Sequence, residues 1–402
     1  MNYLPVPLYR VQLGKPVPVD VWSPQGQLLL RRGQSLESEN QRQRLASHQA
    51  CMTESDAIAW EKSRERRMRS LLGNGLNESA MIDLPLPSNI EESDYLPEHQ
   101  VSGDWLDVQE VLRDLLYHAA AALNPLPRLE ALERKTLSLM QRDPDDGLFV
   151  LFQALPNLSL GYCATHALLS GLVSALTAQK LTLAPQTQSV LLRSGMVMNI
   201  GMARQQDTLA RQNARPNPIQ QQVIANHAAL SVDILRNFGV QDQATLITVQ
   251  WHHTPEHGSD YPNQLSALHL LNLADSLIAK MAPRKSRSAI LPLAASRALI
   301  TKNSQTTTDL RHAMTAVLGF YPPGTYVQLA NGETAVVIAR GSRANTPHVA
   351  SIISASGMPL SRYIYRDTDT GSLAIQTPLA SHAIRVKVSL EKVRYLRKQR
   401  GV

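Results

Sequence analysis

The sequence predicts a multi-domain α+β chain, with a central all-α region between a small β-rich N-terminal domain and a β-rich C-terminal extension. Three observations carry that prediction. From Asp104 onward apolar residues recur at helical spacing, with Trp105, Val108, Val111, Leu112, Leu115 and Leu116 on one face. Before residue 40 there are instead short apolar runs around the turn Ser23-Pro24-Gln25-Gly26. After Tyr321-Pro322-Pro323-Gly324 the residues alternate around Asn331-Gly332, a dipeptide that favours the positive φ values of a tight hairpin. The expected divisions are 1–73, a linker over 74–103, a helical domain over 104–318 and the extension over 319–402.

Each element follows from local chemistry. Residues 17–22 and 27–30 read as strands joined by a turn in which proline sets φ and glycine accepts a positive one. A polar helix begins near Glu37. The stretch 74–99, with Pro85, Pro87, Pro97 and several acids, shows no strong periodicity. Residues 126–139 form a second amphipathic pattern after the Asp104 helix. Asp143-Pro144-Asp145-Asp146 then opens a third helix, with proline in the first turn and acids at the positive end of the dipole. Helical character continues to about Leu318, with loops near Pro185, over 215–218 and over 254–262. Residues 349–353 and 383–388 are expected to add strands to the C-terminal hairpin.

Composition bounds the function. A chain of 402 residues accommodates two or three domains with full cores, and 43% hydrophobic against 18% charged residues excludes a disordered polyelectrolyte. Cys51 and Cys163 match no metal or redox spacing, which points to a reducing cytoplasm. The first residues lack the basic start and apolar core of a signal peptide. The uncharged stretch 158–178 contains Gly, Tyr, Thr, His and Ser, so a buried helix is expected there and no membrane span. Net charge is +7, and residues 385–400 hold seven basic residues against Glu391 alone. Such a tail attracts polyanions, but no nucleic-acid fold signature accompanies it, so nucleic acid is not the expected partner.

The candidate site centres on His252-His253-Thr254-Pro255-Glu256-His257-Gly258-Ser259-Asp260-Tyr261-Pro262. Adjacent histidines end an apolar stretch there and open a turn rich in Gly, Ser and Pro. His166 and His227 lie upstream and Asp275 downstream, on separate helical segments. Four imidazoles and a carboxylate suit a metal site built of nitrogen and oxygen ligands. Read singly, His166 suits a hydrogen-bonded core histidine equally well, and Met196, Met198 and Met202 suit core filler.

Taken in order, these residues resemble the HD-GYP domain, a helical, metal-dependent phosphodiesterase module that acts on the bacterial second messenger cyclic di-GMP. The resemblance runs from about Leu158 to Ala289, a third of the chain, and makes the central region an HD-type bundle. It implies His166, His227, His252, His253 and Asp275 as metal ligands, and Tyr261, Pro262, Arg284 and Arg287 as nucleotide contacts. It also exposes departures. Met198-Asn199 stands where the family has its His-Asp pair, and Met202 where it has a lysine. Thr254, His257 and Asp260 replace Glu, Asp and Gly of the loop, and Tyr162 replaces a Glu.

Paired divalent ions repel one another, and a bridging carboxylate offsets that repulsion; Asn199 is neutral and Met198 a soft thioether. The degenerate positions Met198, Asn199 and Met202 therefore imply no catalytic residue, and one weakly held Fe or Mn ion or none. The expected function is binding of cyclic di-GMP or of a signalling protein partner in the cytoplasm, with little or no turnover. The alternative is an active cyclic di-GMP phosphodiesterase with a rearranged site.

Overall fold

Proline, glycine and polar caps set the element boundaries of the chain, whose computed structural model describes residues 3–73, 86–91, 101, 103–301 and 307–402. Two compact units emerge: Met1–His99 with Leu123–Arg128, and Gln100–Ala122 with Leu129–Val402. Both carry antiparallel sheet, and helices dominate the second, giving an α+β chain.

In the first unit, strands β1 (Tyr3–Pro5), β2 (Val21–Trp22), β3 (Leu28–Leu30) and β4 (Cys51–Thr53) form an antiparallel sheet in the order β1-β4-β2-β3. The turn between β2 and β3 closes as its residues require: the Ser23 N–H donates to the Gln27 carbonyl at 2.7 Å, and Gly26 takes φ +81°. Strand pairing at β2 is confined to Val21–Trp22, although residues 17–22 read as one strand. Pro18 lacks the N–H that a ladder needs. Val17 and Val19 are nevertheless buried with Leu36, Ala59 and Trp60. Helix α1 (Glu39–Ser47) starts at Ser38, whose hydroxyl accepts the Gln41 N–H, and α2 spans Glu54–Gly73. Within the stretch read as linker, Leu86 and Ile90 join this core, and the Trp60 indole donates to the Pro87 carbonyl at 2.8 Å.

The second unit winds around one helix. Helices α3 (Trp105–His118), α4 (Pro125–Arg142) and α5 (Pro144–Ala154) precede α6 (Tyr162–Lys180), which is buried from Tyr162 to Ala178. Asp104 and Asp143 cap α3 and α5, and Pro144 begins α5, as their sequences imply. Then follow α7 (Pro185–Val197), α8 (Ala203–Arg211), α9 (Pro218–Asn237), α10 (Gln243–Gln250), α11 (Leu265–Met281), α12 (Pro292–Ile300) and α13 (Thr308–Leu318). Helices α3, α5, α7, α8, α11 and α13 all pack on α6. Where α6 meets α7 the backbones touch: a Cβ on Gly195 would lie 2.6 Å from the Gly171 nitrogen. Among the described residues no helix is long and apolar enough to cross a membrane.

The C-terminal sheet belongs to this second unit. Its strands are β5 (Tyr326–Leu329), β6 (Thr334–Ala339), β7 (His348–Ile353), β8 (Pro359–Asp367) and β9 (Ile375–Leu379), ordered β8-β7-β6-β5-β9. Gly332 takes φ +85° in the β5–β6 hairpin, matching the Asn-Gly signal. The strand expected over 383–388 is not formed. The edge of β5 is already taken by β9, and Ser381–Ala383 makes a 3-10 turn instead. The chain then enters α14 (Leu390–Arg400), whose arginines reach the acidic start of α5. Arg394 holds Asp146 through two bonds of 2.8 and 2.7 Å, and Arg397 donates to Asp143 at 2.9 Å. Arg340, which follows β6, pairs with Asp145.

Candidate metal centre

The local sequence fixes where each histidine points. Asn217 and Gln220 form a capping box before α9 with Pro218 in the first turn, so α9 starts two to three turns before His227. Asp242 caps α10, which ends at Gln250 and leaves His252 and His253 at its exit. His227 and His252 are buried, and His253 is half exposed. One nitrogen from each lies within 4.8 Å of the others.

Hydrogen bonds settle the tautomers of the buried pair. The Nδ1–H of His227 donates to the Ile224 carbonyl at 2.6 Å, and that of His252 donates to the Val249 carbonyl at 2.7 Å. Both Nε2 atoms are then left with lone pairs, and they face each other at 3.3 Å. Burial pushes the pKa of His227 down, and that of His252 down to about 3, with neighbouring histidines adding to the effect. Neutral imidazoles whose Nδ1 atoms are fixed by carbonyls and whose Nε2 lone pairs converge are the usual arrangement of metal-bound histidines. Nitrogens bound to one ion at roughly 2.0–2.1 Å sit about 3 Å apart. The pair fits a divalent cation, and His253 is close enough to join it.

Asp275, on α11, lies beside the cluster. Burial alone would raise its pKa, but the hydrogen bond and charge of His166, with His252 and His253, outweigh that and hold the carboxyl well below the usual range. Its Oδ1 accepts the Nε2–H of His166 at 2.7 Å, and its Oδ2 lies 3.8 Å from His253 Nδ1. The converging group is thus His227, His252 and His253, and His166 meets it through Asp275. The remaining nitrogen of His166, Nδ1, is buried without a hydrogen-bond partner.

The Met198–Met202 loop packs on α9. The Ser231 hydroxyl donates to the Met198 carbonyl at 2.9 Å and accepts the Gly201 N–H at 3.0 Å. Gly201 is needed there, because a Cβ would lie 2.6 Å from the His227 carbonyl oxygen. Met196, Met198 and Met202 are buried. Asn199 is buried as well, and its side-chain oxygen has no hydrogen-bond partner.

The residues implied as nucleotide contacts are placed differently from one another. Tyr261 is half-buried and Pro262 exposed, at the junction of the 3-10 turns Pro255–Asp260 and Pro262–Gln264. Arg284 donates to the Tyr162 hydroxyl at 2.8 Å and lies 5.0 Å from the centre of that ring. Tyr162 stacks in turn on His166, with centroids 5.4 Å apart. Arg287 is exposed and donates to the Ala279 carbonyl near the end of α11.

Two supporting residues escape a reading of the sequence. Asp207 of α8 accepts the Cys163 N–H at 2.6 Å and the Tyr117 hydroxyl, capping α6 just before His166. Burial pushes its carboxyl up, against these hydrogen bonds. Asn272 of α11 donates its side-chain amide to the His252 carbonyl at 2.7 Å. An isolated asparagine in the run Leu270-Leu271-Asn272-Leu273 is the one available signal.

No protein-family model and no curated protein sequence matches this chain. Among solved structures it is similar to Bd1817, a HDG"Y"P protein from Bdellovibrio bacteriovorus, at 13% identity and a TM-score of 0.43, over 79% of this chain and 99% of that one. With a likeness of that size, the functional assignment rests on the residues of this chain.

Proposed function

We propose that the chain is an HD-GYP-like protein of bacterial cyclic di-GMP signalling that has kept a one-ion histidine site and acts by binding, with hydrolysis lost. The observation that carries this reading is the pair of buried Nε2 lone pairs of His227 and His252, 3.3 Å apart with both tautomers fixed by carbonyls. Two facing lone pairs repel, and a shared cation turns that contact into an attraction. His253 completes the converging nitrogens, and the Asp275 carboxylate lies beside them; imidazoles with a nearby carboxylate suit borderline ions such as Fe or Mn.

In hydrolysis of a phosphodiester by paired ions, a bridging carboxylate offsets the repulsion between the two cations. At the matching position the chain has Asn199 behind buried Met198, a neutral amide beside a thioether. A second ion therefore has no anionic ligand to hold it there. Cyclic di-GMP is the ligand this reading favours, and a signalling protein takes its place if the nucleotide does not bind. The N-terminal unit serves as the accessory domain.

An active phosphodiesterase with a rearranged site is the second reading. It draws on the unpartnered oxygen of Asn199, which adds a neutral ligand if an ion lies within its reach. Anaerobic assays of cyclic di-GMP hydrolysis with Fe- and Mn-supplemented protein separate the two. The expected result is uptake of about one ion per chain without turnover. Turnover that disappears in a His252→Ala/His253→Ala variant would establish the active enzyme instead.

A further inference from the structure

One face of α11 meets the loop, the His252 backbone, His166 and His253. Near its start, Leu265 and Leu268 receive Gly258 of the loop so closely that a Cβ there would lie 2.8 Å from each Cδ1. One turn later Asn272 donates to the His252 carbonyl at 2.7 Å. Another turn on, Asp275 accepts from His166 at 2.7 Å and faces His253 at 3.8 Å. Positions 265, 268, 272 and 275 keep the 3–4 spacing of a single helical stripe.

We infer that Asn272 is a positioning residue for the ion, acting through the backbone of His252; the inference rests on the one-ion reading of the site. His252 lies just past the end of α10, where a carbonyl has no partner within its own helix. That carbonyl is held only if a donor comes from elsewhere, and the side chain of Asn272 supplies it. The bond fixes the peptide between His252 and His253, so it sets the direction of both imidazoles at once. On the other side of His252, its Nδ1–H is anchored to Val249 at 2.7 Å. The residue is thus held at ring and carbonyl, and the only nitrogen left to bind an ion is the Nε2 aimed at His227. Asn272 acts through that carbonyl, and fixes the path that brings two of the three converging imidazoles together.

Titration of metal-free native protein with Co(II), read by its d–d absorption and by calorimetry, tests this against Asn272→Leu and Glu333→Gln. The leucine keeps the branching and heavy-atom count of the side chain and removes the donor. The Glu333 variant weakens the C-terminal sheet and so controls for lost stability alone. Removal of such a supporting bond is expected to weaken cobalt binding by ~10–100-fold and to shift the absorption bands, while Glu333→Gln binds as the native protein does. Native affinity and bands in Asn272→Leu would overturn the inference and leave the centre standing. Equal weakening in both variants would reduce Asn272 to a fold-stabilising residue and overturn it as well. No cobalt uptake by the native protein would overturn the one-ion reading and this inference together. Should the leucine variant fail to fold, Asn272→Ser is the substitute, since its shorter side chain leaves room but does not span the gap.

Discussion

Two side chains of the second unit respond to acid in the same direction for different reasons. His252 is fully buried, and burial, ahead of its histidine neighbours, lowers its pKa from 6.5 to about 3. Glu333, between β5 and β6, is lowered from 4.5 to about 2, first by its hydrogen bonds from Arg366 at 2.8 and 2.6 Å and further by Ser351. In both cases the unfolded chain takes up a proton more readily than the folded one, so stability falls as pH falls. For His252 the loss begins below about pH 6.5, its ordinary value, and runs towards 3; for Glu333 it begins below about 4.5 and runs towards 2. Glu333→Gln should therefore reduce the step below pH 4.5, to which the depressed Asp275 also contributes, and leave the histidine step in place. Urea midpoints measured from pH 7 to pH 3 on metal-free protein check this. An unchanged acid limb in the variant would mean that the Arg366 pair contributes nothing to the fold.

At the scale of elements, the helical packing depends on how closely α6 and α7 approach. Gly171 and Gly195 face each other there with no room for a side chain. Gly195→Ala should push α7 from α6 and destabilise the protein by about 1–3 kcal/mol, the usual cost of overpacking. A fall in the urea midpoint with an unchanged slope would confirm it, and a neutral substitution would show that the contact yields. The boundaries of α3 and α5 could be read from sequence, because their caps are local: Asp104, and Asp143 before Pro144. The β5–β6 hairpin was legible for the same reason. Strands β1 and β4 were not, since each is three residues long and their pairing, Tyr3 with Thr53, joins residues far apart in sequence. Strand β8 hides its pattern as well: most of its nine residues are exposed or half-buried, so no apolar alternation marks it. The histidines stood out by type and spacing. The bond from His166 to Asp275 and the grip of Asn272 on His252 did not, because both join helices whose pairing no local pattern encodes.

Over the whole molecule, a net charge of +7 with seven basic residues over 385–400 invites a reading as a polyanion-binding tail. Much of that charge is already committed within the second unit. Arg394 and Arg397 hold the acids at the start of α5, and Lys392 donates to the Ser361 carbonyl at 2.7 Å. Arg400 lies 5.2 Å from the Tyr365 ring centre. A polyanion would have to displace these partners before gaining any of the charge. Each phosphate contact adds about 0.9 to the slope of log affinity against log salt for duplex DNA, so a tail with few free cations gives a shallow slope. The protein is expected to leave heparin at low salt with little salt dependence. Arg394→Ala combined with Arg397→Ala should lower the urea midpoint while leaving that elution unchanged, because what these arginines hold is α5. Tight, steeply salt-dependent retention that the double variant abolishes would instead make α14 a polyanion-binding helix. The internal pairs would then be its resting state.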